Sequence, residues 1–177
     1  MKMKQLPFLT FGFALALASC SEKKETTDND SSVKGSLSEI ILSEKPADPV
    51  GITELRTSAN PGDKVTFSGN IMGADPVFID HRAVLIMGDP AKLTSCNLNP
   101  GDACETPWDT CCDDPDLIKA SIVTVQVVDE NGKPLKNGLK GVAGIKELSS
   151  LVITGEIAEG SNKENMLVNA TGIFVQP

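Results

Sequence analysis

The chain has no tyrosine, a single tryptophan and a single histidine in 177 residues. Beyond its first twenty residues the aromatics reduce to Phe67, Phe78, Phe174 and Trp108. β-Domains that bind single-stranded nucleic acid stack bases on aromatic platforms and follow the backbone with a basic groove. Here the three phenylalanines sit among apolar neighbours, as core residues do, and residues 46–177 carry 10 Lys+Arg against 18 Asp+Glu. An acidic surface repels phosphate, so nucleic acid is not an expected partner. The lone histidine, His81, lies between Asp80 and Arg82, ahead of an apolar run. A histidine-centred triad or dyad would have to use it, and neither a Gly-x-Ser-x-Gly elbow nor a cysteine–histidine pattern accompanies it. Also missing are a phosphate-cradling glycine loop, a haem-attaching Cys-x-x-Cys-His and a Cys-x-x-Cys redox pair. His81 therefore reads as a turn residue, and no catalytic residue and no cofactor are expected.

The start of the chain carries an address. Lys2 and Lys4 precede an uncharged stretch from Leu6 to Ala18. That stretch is short of the roughly 20 apolar residues a membrane span needs, and a basic start followed by a short apolar run is the secretory pattern. Residues 1–19 are read as a signal peptide. They end Leu17-Ala18-Ser19-Cys20, which resembles the lipobox of bacterial lipoproteins. The resemblance implies a diacylglyceryl thioether on Cys20, cleavage before it and acylation of the new amino terminus, with the membrane engaged through that lipid. Ordinary cleavage after Ala18 would leave five cysteines, an odd number, in an oxidising compartment; assigning Cys20 to lipid leaves an even four. Ser21, rather than aspartate, follows Cys20, which the resemblance associates with the outer membrane of the cell envelope. Residues 20–45 are polar and charged and read as a flexible tether, interrupted by an apolar island at Ile40, Ile41 and Leu42 that suits docking on the domain. Residues 46–177 are enough for one domain of common size.

Five segments of that domain have strand character. Residues 64–71 alternate Val65, Phe67, Gly69 and Ile71 on one face after a Pro61-Gly62-Asp63 turn. Residues 82–87 form an apolar run, and 121–128 are rich in β-branched residues up to the turn Asp129-Glu-Asn-Gly132. Residues 151–157 and 166–175 close the chain. Between the third and fourth segments, Leu139, Val142, Ile145 and Leu148 recur every three residues and predict a short helix, weakened by Gly141 and Gly144. This β-β-β-α-β-β order resembles the OB-fold, a five-stranded Greek-key barrel with its helix between strands three and four. Gly69 and Gly155, each mid-strand, suit the places where barrel strands bend or bulge.

Between the second and third predicted strands, residues 93–117 form an insertion that holds Cys96, Cys104, Cys111 and Cys112, spaced C-x₇-C-x₆-C-C. It also holds six carboxylates, and residues 94–118 contain no Lys or Arg. A long loop in an exported protein needs constraint, so the four cysteines read as disulfide staples, with Cys111 and Cys112 pairing separately with Cys96 and Cys104. Structural zinc sites show C-x₂₋₄-C pairs, which are absent, and no segment matches an EF-hand, so no metal is expected, although Asp102, Asp113, Asp114 and Asp116 supply the hard oxygens calcium takes. Trp108 is expected to pack over a disulfide, and Trp108, Asp102, Asp113 and Asp114 are the candidate ligand or partner contacts. The expected protein is an envelope module, anchored by lipid, that works by binding, with an envelope protein as partner. The alternative is a metal-handling or redox protein built on the four cysteines.

Overall fold

Runs of Val, Ile and Thr bounded by Gly, Pro, Asn and Asp favour extended chain. In the computed structural model, which describes residues 37–99, 101 and 104–177, those runs fold into a closed β-barrel with a few short helices. The expected signal peptide, Cys20 and the expected tether up to residue 36 lie outside the described residues. The elements are β1 (Val50–Gly51), α1 (Ile52–Ser58), β2 (Lys64–Asn70), β3 (Val84–Gly88), α2 (Pro115–Ser121), β4 (Ile122–Gln126), β5 (Ser150–Ile157) and β6 (Leu167–Val175). Strands β2 to β6 are the five segments expected from sequence, each end within two residues. They hydrogen-bond in the order β2-β3-β4-β6-β5, and a ladder from Lys64↔Glu156 to Asn70↔Ser150 closes β5 back onto β2. The β4–β6 pairing is parallel, from Thr124↔Leu167 to Gln126↔Asn169; the other pairings round the barrel are antiparallel.

Phe67, Leu85, Val125, Leu151, Ile153 and Ile173 point into the barrel and are fully buried. The two mid-strand glycines sit where a side chain would collide. A Cβ on Gly155 would lie 2.4 Å from the Asn169 carbonyl oxygen, and the β5–β6 register shifts between Thr154 and Gly155, so the expected bulge is there. A Cβ on Gly69 would meet the Ile52 side chain at 2.4 Å and the Gly88 carbonyl at 2.9 Å. Gly69 thus lets α1 pack down on β2.

The barrel has two seams, and short segments fill both. β2 and β3 share a single rung, Asn70↔Gly88. β1 pairs with β2 in parallel at Val50↔Phe67 and Gly51↔Ser68, occupying the edge that β3 leaves. The second seam lies along the later half of β6, where β4 has ended. There the Ile173 amide donates to the Ile40 carbonyl (2.7 Å), and the Leu42 amide donates to the Ile173 carbonyl (2.8 Å). The apolar island of the tether is therefore a sheet-edge plug. Leu37, one helical turn earlier, is fully buried in the core. We expect Leu37→Ala to cost about 2 kcal/mol through lost burial and a cavity. Denaturant unfolding checks this: the midpoint falls while the slope stays unchanged.

One expected element is corrected. The stretch from Leu139 to Leu148 holds only a 3₁₀ turn, Val142–Gly144, instead of a helix. Gly141 (φ 88°), Ala143 (φ 49°), Gly144 (φ 82°) and Leu148 (φ 65°) are left-handed, a backbone state no α-helix accommodates. Leu139 and Ile145 still bury completely, so the apolar spacing reported burial and not helix.

Candidate functional site: the cysteine loop

The chain leaves β3 at Gly88 and turns at once on Asp89, a carboxylate only 5% exposed. Its Oδ2 accepts from the Thr53 amide in the first turn of α1 (3.0 Å), and its Oδ1 accepts from the Ala91 amide (3.0 Å). Its own amide donates to the Ser121 carbonyl at the end of α2 (2.9 Å). Burial raises the carboxyl pKa, but the hydrogen bonds from Thr53 and Ala91, with Lys92 nearby, outweigh it and hold the group below its ordinary value. A carboxylate is the right group here, since it only accepts and faces two donors. Asp89 thereby ties both feet of the loop to the seam between β2 and β3.

Within the loop the chain doubles back on itself. The Cys96 amide donates to the Asp109 carbonyl (2.8 Å), and the Asn97 amide donates to the Pro107 carbonyl (3.0 Å). The Trp108 carbonyl accepts from the Gly73 amide (3.0 Å), fastening the returning arm to the barrel. This pairing, not any local spacing, brings the sulfurs together. Sγ of Cys96, Cys104 and Cys111 all lie within 4.8 Å of one another, and Cys96 and Cys111 are 3.7 Å apart. Cys104 also contacts the Thr106 hydroxyl at 3.2 Å. Cys96 is buried, Cys104 half-buried and Cys111 exposed, so the cluster has a closed floor and an open mouth.

The expected staples are not seen among the described residues: no two sulfurs stand at the roughly 2.05 Å of a disulfide. Trp108 does not pack over one either. Its ring lies half-buried against the barrel core, and its indole N–H is buried with no acceptor among the described residues. Burial, reinforced by the neighbouring Cys104 and Cys111 sulfurs, pushes the Cys96 thiol up to about 12.

The carboxylates named from sequence have internal work. Asp113 accepts from the Thr94 amide (2.8 Å), and Asp114 caps α2 by accepting from the Asp116 and Leu117 amides (2.9 and 3.2 Å). Asp102 lies outside the described residues. Among the described residues, the convergence of metal-ligating groups is sulfur, not oxygen. Helix α2 itself went unread, although Asp114-Pro115 is a cap followed by a proline at the first helical position, a legible start signal. His81 is exposed in a turn with φ 56°. It edges a cleft of about 740 Å³ with Lys136, Asn137 and Lys140; that cleft shares no residue with the cysteine loop. Leu37 forms part of its wall, and residues 1–36, which precede it, are outside the described residues, so the sulfur cluster is the better-defined site. No protein-family model, curated protein or solved structure matches the chain, and its chemistry has to be read from this geometry.

Proposed function

We propose that the chain is a bacterial envelope lipoprotein, held by lipid on Cys20 at the outer membrane, whose OB-like barrel acts by binding and presents the cysteine loop to a partner protein. The single observation that carries the binding role is the loop's construction. Asp89 ties the loop at both feet, to Thr53 and to Ser121, and the Gly73–Trp108 hydrogen bond fastens it in the middle, so the described part of a stretch without Lys or Arg, 94–118, is held against the barrel. A surface ordered before contact loses less entropy on association than a floppy one. The OB-like reading rests on the closure order β2-β3-β4-β6-β5, with β4 and β6 parallel and the loop falling between the second and third barrel strands. The lipid anchor rests on Leu17-Ala18-Ser19-Cys20 and on the confinement of the other four cysteines to one loop. A binding role rather than a catalytic one fits the engagement of Asp89, Asp113 and Asp114 by backbone amides.

The test uses the full chain expressed in a Gram-negative host. Wild type is expected in the membrane fraction, and Cys20→Ala in the soluble fraction with its domain still folded. A photo-crosslinker at exposed Glu105 should give a defined adduct only in the membrane-anchored protein, while one at exposed Lys133 gives none. Membrane retention of Cys20→Ala overturns the anchor. Identical adducts from both positions overturn the loop as the presenting surface.

A further inference from the structure

Three sulfurs within 4.8 Å call for an explanation, because thiols at that distance gain little from one another. Two chemistries bring sulfurs together: oxidation, which sets them about 2.05 Å apart, and ligation of a common ion. A metal–thiolate bond of about 2.3 Å in tetrahedral geometry places neighbouring sulfurs about 3.8 Å apart, and a trigonal arrangement only slightly further. The Cys96–Cys111 separation is 3.7 Å, which matches ligation.

We propose that Cys96, Cys104 and Cys111 form a three-thiolate site for one thiophilic d¹⁰ cation, zinc(II) or copper(I), open on its outer side. This rests on the reading of the cysteine loop as the working surface and names what that surface holds. All three residues are soft ligands, the donor type that selects these ions over calcium or magnesium. Cys96 is set by the hydrogen bond from its amide to the Asp109 carbonyl, and the Cys104 sulfur lies against the Thr106 hydroxyl. Cys111 faces solvent, which leaves a position for water or for a donor from a partner; structural zinc sites are closed, and sites that exchange a ligand keep such a position. Cys112 is not among the three sulfurs that converge, as expected where only one of two adjacent cysteines can reach an ion. Binding is a ligand exchange without electron transfer. Three S–H bonds give three metal–sulfur bonds, and three protons leave to solvent for each ion bound.

The closing experiment takes the full lipidated chain, purified in detergent without chelator, and measures metal content, thiol count and protons released. On titration of the metal-free, reduced protein with zinc(II), and separately with copper(I) under anaerobic conditions, one ion per chain and about three protons per ion are expected. Cobalt(II) in place of zinc should give the thiolate-to-metal absorption of a sulfur-rich tetrahedral site. Cys104→Ser and Cys111→Ser should each weaken binding by at least about 100-fold, beyond the loss typical of outer-shell changes, and Cys112→Ser should leave it within about 3-fold. Cys111 is exposed, so its serine variant stays folded even if a change at buried Cys96 does not. Two disulfides and no metal in the isolated protein overturn the proposal. So does stoichiometric binding that Cys112→Ser abolishes as fully as Cys111→Ser. Loss of metal binding with the crosslink and membrane retention intact sinks this site alone, whereas a soluble wild type sinks the anchored-module reading and leaves the metal stoichiometry standing.

Discussion

Gly155→Val is expected to leave no folded barrel at 37 °C, and Gly155→Ala to lose about 3 kcal/mol of stability. The reason is the bulge. A Cβ at this position lies 2.4 Å from the Asn169 carbonyl oxygen, 3.0 Å from the Val168 side chain and 3.1 Å from the Ala170 Cα. Two of those three neighbours are backbone of the paired strand, and they cannot rotate aside as a side-chain tip would. Relief would require β6 to move away from β5 over the rungs on both sides of the register shift. Overpacking a well-filled core typically costs 1–3 kcal/mol, and a collision with backbone belongs at the upper end or beyond. A domain of this size has roughly 5–15 kcal/mol in total, so the valine variant falls near or below the threshold of folding. Thermal unfolding followed by circular dichroism checks both variants. A Gly155→Ala midpoint within a degree of wild type would show that the bulge is not constrained as described.

Asp89→Ala is the second large effect, about 3 kcal/mol. The substitution leaves the Thr53 and Ala91 amides without an acceptor beside the β2–β3 seam, and each unsatisfied buried donor costs about 1–3 kcal/mol. Asp89→Asn keeps the shape but presents an NH₂ group to one of the two donors, so it recovers only part of the loss. The pH dependence follows from the lowered pKa of Asp89. A carboxyl whose folded pKa lies below its unfolded value of about 3.9 contributes stability at all pH values above that value, and the contribution is lost as pH falls through the folded pKa. Wild type should therefore approach Asp89→Asn in stability below about pH 4, while the gap stays constant from about pH 5 upward. Glu147, which pairs with Lys140, is lowered too, but it is common to both proteins and cancels in the difference. A gap that persisted unchanged to pH 2 would mean that the carboxylate charge plays no part in the seam.

The barrel strands were legible because each is a run of β-branched or aliphatic residues with a turn signal at its end. Ser121 to Gln126 and Leu151 to Ile157 could hardly be read otherwise. The seam-filling pieces were not legible. β1 has two residues and α1 seven, too few for a period to show, and Leu37 is one apolar residue in a polar stretch. The stretch from Leu139 to Leu148 was misread for the opposite reason. Its spacing is helical, yet Gly141 and Gly144 allow positive φ, and the apolar side chains reach the core from an irregular path. The sulfur cluster was hidden because its ligands converge through Cys96–Asp109 and Asn97–Pro107 backbone pairing, a non-local event that leaves no Cys-x₂₋₄-Cys trace. What the sequence did show was one acidic loop holding every cysteine but Cys20, and that is the loop in which three sulfurs converge.

The ladder between residues 64–70 and 150–156 has a bearing on how the protein comes into being. A chain emerges amino terminus first, at about 5–20 residues per second from a ribosome. β2 therefore emerges well before its closing strand β5, and its edge stays bare until β5 follows. Bare strand edges pair with whatever is near, and in the finished fold β5 and β6 remove the hazard by completing the ring. Biogenesis of this protein is thus a matter of timing: the hairpin made last is the one that ends its exposure to neighbours.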